Sequence, residues 1–356
     1  MYQVTFSDQS MSELNKLDKL SQLEIIESFG ALTSEQLEGG LPEIGKIHRG
    51  SKVYYRLRTG DYRIYFELLE DTQTLHADLL QRAGKYPPPP GWPEWMGLEV
   101  AGTVLTAPRG SRWKAGDRVC ALLGGGGYAE KAAVPEELVL PVPEGLSMAE
   151  AASLPEAFAT SYLNLVIEAG LKAGETVLIQ AGASGLGIAA IQLAKAFGAK
   201  VVTTVGSEEK ARVVRSLGAD VVVNRRTDDL GGILDENPVD AVLDCVGGAA
   251  LGRHIEKLAP GGRWVLIATL GGEFAEISLR PILKRGLRLI GSTLRSRPPE
   301  MKARILRELG ERLWPKFASK ELRPVIHVVM PVRRAEEAHA ILERNENIGK
   351  VVLEIR

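Results

Sequence analysis

Residues 177–210 read VLIQAGASGLGIAAIQLAKAFGAKVVTTVGSEEK, and this stretch decides the fold. An apolar β-branched run leads into Gly182-Ala183-Ser184-Gly185-Leu186-Gly187, and a helix-like segment follows at once. Bare backbone at Gly182 and Gly185 allows a tight turn and close approach of a pyrophosphate. Gly187 allows the helix to pack closely on the strand. The helix start then offers unpaired N–H groups and partial positive charge to phosphate oxygens. The bland alternative is a tight strand–helix turn with no ligand, but the strand–turn–helix context favours a dinucleotide.

Outward from this motif the grammar repeats. ETVLIQA, KVVTTV, DVVVN, VDAVLDCV, RWVLIATL and LRLIGSTL are short apolar runs, and helix-like segments separate most of them. Strands buried on both faces and alternating with helices predict a doubly wound parallel sheet over 156–295. Residues 92–150 carry short strands punctuated by Gly and Pro, as in a small β unit, and the chain closes on a helix, a turn and a strand. Residues 1–76 differ again: an opening strand, two amphipathic helices, then KVYYRLRTGDYRIYFELL, which alternates around Thr59-Gly60-Asp61 as a hairpin does.

Composition narrows the function. Across 356 residues, 44 Lys and Arg nearly cancel 45 Asp and Glu, so no global basic field recruits nucleic acid. With two cysteines, Cys120 and Cys245, there is neither a disulfide framework nor a Cys-built zinc site; both read as buried core thiols. No apolar stretch is long enough for a membrane span, and MYQVTFSDQS lacks the features of a signal peptide, so a cytoplasmic protein is expected. The five histidines show no ligand spacing and read as ordinary residues.

Cofactor choice is read at the end of the second strand. An NAD site places Asp or Glu about 20 residues after the glycine motif, to accept from the ribose 2′-OH. Gly206 and Ser207 stand there instead, with Lys210 one helical turn on. A hydroxyl and an ammonium suit a 2′-phosphate, so NADPH is expected, with Glu208 and Glu209 as the opposing feature.

From Ala77 onward the chain resembles the medium-chain dehydrogenase/reductase superfamily, and within it the zinc-free quinone oxidoreductases, nearest their p53-inducible branch. The carriers are ADLLQRAGKYPPPPG, GLEVAGTV, GDRVCALLGGGGYAEKAAVPEELVLPVPEGLS, EAASLPEAFATSYLNL, the glycine motif, LDCVGG, LRLIGSTLRSR and NIGKVVLEI. The resemblance implies an NADPH-dependent reductase with a GroES-like catalytic domain (77–155 and 296–356) flanking a Rossmann domain (156–295). Its substrate would be a quinone or enone. Tyr86 would line the nicotinamide cleft as the catalytic residue. Ser184 would contact the pyrophosphate, and Ser207 and Lys210 the 2′-phosphate. Leu294, Arg295, Asn347 and Lys350 would close over the cofactor. Zinc-dependent relatives need a histidine where this chain has Leu98, so no catalytic metal is expected. A homodimer is expected through an edge strand near RWVLIATL. Tyr86 has a second reading, as an aromatic packed on Pro87–Pro90.

Residues 1–76 resemble the RelE/ParE-type toxins, carried by MYQVTFSDQSMSELNKL, IGKIHRG and KVYYRLRTGDYRIYFEL. The resemblance implies contact of Arg56, Arg58 and Arg63 with RNA, set against the commoner meaning of such charges, a solvated hairpin face. The reductase family's nicotinamide-facing asparagine is replaced here by Leu75. The segment 62–69 aligns with a strand of the reductase barrel and is expected to stand in for it. Two rivals therefore accompany the reductase: an NADPH-binding protein without turnover, and an RNA binder.

Overall fold

The apolar runs after residue 171 do form one sheet. In the computed structural model, which describes residues 14–19, 21–22, 44–49, 52–59, 62–67 and 77–355, the chain divides into two compact units, Met1–Thr72 and Gln73–Arg356.

In the first unit, strands β1 (Ile44–Arg49), β2 (Lys52–Thr59) and β3 (Tyr62–Glu67) form an antiparallel sheet in the order β1-β2-β3. The β2–β3 hairpin predicted around Thr59-Gly60-Asp61 is present, and its register sets Arg58 opposite Arg63 and Arg56 opposite Tyr65. Leu75 and the predicted opening strand lie outside the described residues.

The second unit holds α1 (Ala77–Arg82), then β4 (Glu99–Thr103), β5 (Arg118–Leu122) and β6 (Val139–Pro141), which form a separate antiparallel sheet in the order β4-β5-β6. This corrects the expectation that 62–69 replaces a barrel strand. Residues 62–67 pair with 52–59, and 99–103 pair with 118–122, so the two segments belong to different sheets. The physical reason is local: β2 and β3 are consecutive hairpin strands, and closing a short turn costs far less chain entropy than a distant pairing.

Helices α2 (Met148–Ala151) and α3 (Pro155–Tyr162) lead to the large sheet. Its elements alternate as β7 (Thr176–Ile179), α4 (Gly185–Ala196), β8 (Lys200–Val205), α5 (Glu208–Ser216), β9 (Val221–Asn224), α6 (Leu230–Glu236), β10 (Val239–Asp244), α7 (Gly248–His254), β11 (Leu258–Leu266), α8 (Leu279–Arg285) and β12 (Arg288–Gly291). The strand order is β12-β11-β10-β7-β8-β9, all parallel. That is the order of a dinucleotide-binding sheet, and its crevice opens between β7 and β10, where the winding reverses. RWVLIATL is not at the edge: β11 lies between β10 and β12, because LRLIGSTL supplies a further strand.

Helices α9 (Pro299–Arg312) and α10 (Trp314–Ala318) follow, then β13 (Ile326–Pro331), α11 (Ala335–Glu343) and β14 (Lys350–Glu354). Strands β13 and β14 pair in parallel. One apolar core joins the small sheet to the large one: Cys120, Leu122 and Leu140 are buried with Phe158, Ile191, Val205 and Leu309. Phe158 meets Phe317 edge-on at 5.1 Å between ring centroids, a favoured aromatic geometry. Cys120 is fully buried as expected; Cys245 keeps a little exposure, but burial still pushes its thiol pKa up to about 12.

Candidate functional site

The site begins where β7 ends. Ala181 takes a left-handed backbone conformation (φ 54°), so the sharp bend falls on an alanine rather than on a glycine of the motif. The chain is held there by amides of Ala181 and Gly182, which donate to the hydroxyl and carbonyl of Thr204 at 3.1 and 2.8 Å. Ser184 then caps α4, its Oγ accepting from the Gly187 N–H at 3.0 Å. Capping satisfies one of the first-turn amides and leaves those of Gly185 and Leu186 without an intrahelical acceptor.

The three glycines are required by close approach. A Cβ on Gly187 would stand 2.4 Å from the Ala181 carbonyl oxygen, which is the close helix–strand packing anticipated from sequence. One on Gly182 would meet the Thr203 hydroxyl at 2.0 Å. One on Gly185 would meet Cδ of Lys350 at 2.6 Å. The neighbours that exclude side chains at Gly182 and Gly185 are therefore the protein's own Thr203 and Lys350.

Beside this bend lies a recess of about 30 Å³ lined by Ala181, Ser184, Gly206, Lys210, Arg225 and Asn347, among others. Of the residues anticipated from sequence, Ser184, Lys210 and Asn347 thus come together. Ser207 sits at the same strand end and caps α5, accepting from the Lys210 N–H at 3.3 Å. The Lys210 ammonium donates to the Asn345 carbonyl, and the Asn347 amide donates to the Gly349 carbonyl at 2.8 Å. Glu208, one of the opposing acids, pairs with Arg215 at 2.7 Å along the helix.

Lys350 occupies a seam. Its stem lies against Gly185, and its ammonium is paired with Glu99 and stands 3.8 Å from Glu156. The second Glu99 oxygen accepts from the Glu156 amide at 2.9 Å. Burial works against the charge on Lys350, but the carboxylates of Glu99 and Glu156 outweigh it and hold its pKa above the usual lysine value. The Gly349 amide donates to the Ala183 carbonyl at 2.9 Å, and Ser184 and Gly349 form an isolated parallel bridge. The C-terminal segment is stitched directly onto the glycine bend.

Leu294 and Arg295 are not brought to the recess. Leu294 is buried in the main core. Arg295, also buried, donates to the carbonyls of Tyr86 and Gly124 at 2.7 and 2.9 Å and to the Gln81 side chain at 2.6 Å. Tyr86 is half-buried. Burial raises its phenol pKa, the nearby Glu156 carboxylate adds to the rise, and Arg295 opposes it. Its hydroxyl is therefore a protonated donor at neutral pH.

Sequence reasoning missed three features here. Arg225, just after β9, was not singled out. Glu99 and Lys350 are separated by 251 residues. His339, read as ordinary, is buried in a chain of bonds: Arg82 lies 3.1 Å from its Nδ1 and the Tyr128 hydroxyl 3.0 Å from its Nε2, while that hydroxyl reaches Asp78 at 3.3 Å.

Two family models match the chain: an alcohol dehydrogenase GroES-like domain over 70–144 and a zinc-binding dehydrogenase domain over 185–311. The quinone oxidoreductase of Sus scrofa is 33% identical over 283 residues, covering 78% of this chain and 84% of that protein. The Homo sapiens quinone oxidoreductase is 32% identical over 279 residues, covering 76% and 83%. The chain belongs to the medium-chain dehydrogenase/reductase family. Among solved members, an NAD-dependent alcohol dehydrogenase superposes with TM-score 0.68 at 30% identity, covering 79% of this chain and 88% of that one. A mycobacterial protein complexed with NADPH gives TM-score 0.68 at 29% identity, covering 78% and 87%. Family membership makes this chain an oxidoreductase with a GroES-like part and a Rossmann-type sheet that binds a nicotinamide dinucleotide. Among the described residues no group of three or more His, Cys, Asp or Glu could hold a metal ion, and Leu98 stands immediately before β4. Nor is any described helix long and apolar enough to cross a membrane.

Proposed function

We propose that this protein is an NADPH-dependent, zinc-free reductase acting on a quinone or enone. The observation that carries the reading is the recess beside the glycine bend, where Ser184, Gly206, Lys210 and Asn347 meet with Ser207 at the same strand end. Dinucleotide phosphates would lie on the first turn of α4, and the 2′-phosphate beside Ser207 and Lys210. For that, Lys350 must yield the Gly185 face of the bend or share it with the pyrophosphate. The bound dinucleotide supplies the hydride.

The protein's own part is orientation, exclusion of water and one donor. Tyr86 donates a hydrogen bond to the oxygen that gains charge as the carbonyl or quinone is reduced. Arg295 holds Tyr86 by its backbone carbonyl and by stacking on its ring. We retain the division into a GroES-like domain at 77–155 and 296–356 around a Rossmann domain at 156–295. A homodimer through the outer strand β12 is proposed too; Leu289 on that strand and Leu279 and Leu283 on the preceding helix α8 are exposed. The N-terminal segment is retained as RelE/ParE-like, and its RNA contact through Arg56, Arg58 and Arg63 as the weaker alternative, tested by salt-sensitive RNA retention lost on deleting 1–70.

The second reading is an NADPH-binding protein without turnover, and its observation is that the sheet holding β4 has three strands among the described residues. Mixing the protein with NADPH and a panel of quinones, and following the nicotinamide absorbance, separates the two. Consumption that saturates with NADPH supports the reductase. Saturable NADPH binding without consumption for any acceptor supports the binder and overturns the reductase.

A further inference from the structure

We infer that His339 is a positioning residue for the Tyr86 hydroxyl: as a neutral imidazole it braces α1 against the loop 124–128, and on taking up a proton it releases that brace. The inference rests on the role of Tyr86 proposed above and adds to it a group that acts only through other side chains.

The bonding directions follow from the groups present. The Arg82 guanidinium, 3.1 Å from Nδ1 of His339, has only donors, so Nδ1 must accept. A neutral imidazole that accepts at Nδ1 carries its proton on Nε2, which lies 3.0 Å from the Tyr128 hydroxyl oxygen. That oxygen therefore accepts from His339, and its own proton goes to Asp78 at 3.3 Å. Burial, and then the Asp78 carboxylate, raise the Tyr128 pKa, so the phenol keeps this proton. Asp78 ends the chain by accepting from the Gly97 amide at 3.0 Å. His339 is 3% exposed, which leaves little water to replace these partners.

The same two segments are bridged a second time, by the cation that holds Tyr86. Arg295 donates to Gln81, the α1 residue next to Arg82, and to the carbonyl of Gly124, which opens the loop that reaches Tyr128. His339 joins Arg82 to Tyr128 and Arg295 joins Gln81 to Gly124, so the four attachments close a ring. Tyr86 hangs from the Arg295 side of it. Protonation at Nδ1 turns the acceptor into a donor that faces the Arg82 donors and sets two cations side by side. The groups facing His339 are Arg82 and Asp78 from α1, Tyr128 from the loop, and Glu336 and Glu343 from its own helix α11; Glu343 also pairs with Arg82. These carboxylates offset part of the repulsion but cannot restore the bond, because a protonated Nδ1 has no lone pair to offer.

The test compares wild type, His339→Gln and His339→Leu by turnover of NADPH with a quinone and by amide hydrogen exchange. Glutamine offers one acceptor and one donor, as the neutral imidazole does, and leucine offers neither. In His339→Leu the bonded amides of Ala83 and Lys85, beside α1, and of Gly126 and Tyr128, in the loop, should lose protection. Its kcat should fall about tenfold while the NADPH dissociation constant holds. His339→Gln should restore most of both. In the wild type, protection and kcat should decline together only as pH drops below the ordinary 6.5, and in His339→Gln they should not. Unchanged protection and kcat in His339→Leu overturn the inference. So does a His339→Gln that loses as much as His339→Leu, or that keeps the acid decline. Should His339→Leu fail to fold, the pH series of wild type against His339→Gln decides alone. A wild type that reduces no acceptor overturns the role of Tyr86, and protection then supports or overturns the brace by itself.

Discussion

The Arg295 guanidinium lies 4.5 Å over the ring of Tyr86 while donating to the same residue's carbonyl at 2.7 Å. One buried cation thus grips both the backbone and the side chain of the tyrosine proposed as the hydrogen-bond donor. Arg295→Ala removes that grip, together with the bonds to Gly124 and Gln81. It should lower stability by about 2–4 kcal/mol, the scale for losing a buried, multiply bonded charge. Turnover should fall more than NADPH affinity. Thermal unfolding and steady-state kinetics read the two effects separately.

Tyr86→Phe isolates the hydroxyl. If it stabilises the developing oxyanion, kcat drops about a hundredfold while the NADPH dissociation constant holds. With its pKa raised above the ordinary 10.0, the phenol stays protonated through the neutral range, so the wild-type kcat should not decline before that pH. An unaltered kcat in the phenylalanine variant returns Tyr86 to the role of an aromatic packed against the prolines.

Gly187→Ala and Gly185→Ala should diverge. The first drives a methyl to 2.4 Å from the Ala181 carbonyl oxygen, which is backbone, and the second meets the side-chain stem of Lys350, which can shift only against its Glu99 pair. Gly187→Ala is expected to cost about 1–3 kcal/mol and to abolish dinucleotide binding by lifting α4 from β7. Gly185→Ala should cost less than Gly187→Ala, yet measurably, because the displaced stem belongs to a lysine anchored on Glu99. Calorimetric unfolding of the two variants side by side checks the ranking.

Lys350→Met leaves Glu99 buried without its cation. The loss should be about 3 kcal/mol, at the low end for a broken buried pair because neither side chain is completely enclosed. Adding Glu99→Gln should restore part of it, so the double variant loses less than the sum of the singles. Denaturant melts of the four proteins complete the cycle.

His339 makes stability depend on pH. Burial, and then the Arg82 cation, push its pKa below the ordinary 6.5, with the carboxylates of Asp78, Glu343 and Glu336 opposing. In the unfolded chain the imidazole takes up a proton as pH falls through 6.5, while in the folded protein it resists until lower pH. The unfolded state therefore binds more protons, and stability must fall with pH in that window. Melting temperatures measured from about pH 8 down to about pH 5 should decline less steeply for His339→Gln.

Much of this architecture is visible in local sequence. The six runs from ETVLIQA to LRLIGSTL are the six strands of the large sheet, because buried parallel strands leave continuous apolar signatures. The glycine bend was legible too, although the neighbours that demand the glycines were not. What stayed hidden is what distant segments create. Nothing near Glu99 announces Lys350, and nothing in NRRTDD shows that Arg225 lies over Gly206. RWVLIATL was expected at the sheet edge and lies one strand in, because pattern gives the strands but not their lateral order. His339 looked ordinary because its partners Arg82 and Tyr128 lie more than 200 residues upstream.

The bond from the Gly349 amide to the Ala183 carbonyl has a mechanical consequence. With the Ser184–Gly349 bridge beside it, the bond ties residues 347–350 to the bend backbone to backbone, so a substitution that shifts this C-terminal stretch should be felt at Ser184 with the glycine motif itself untouched.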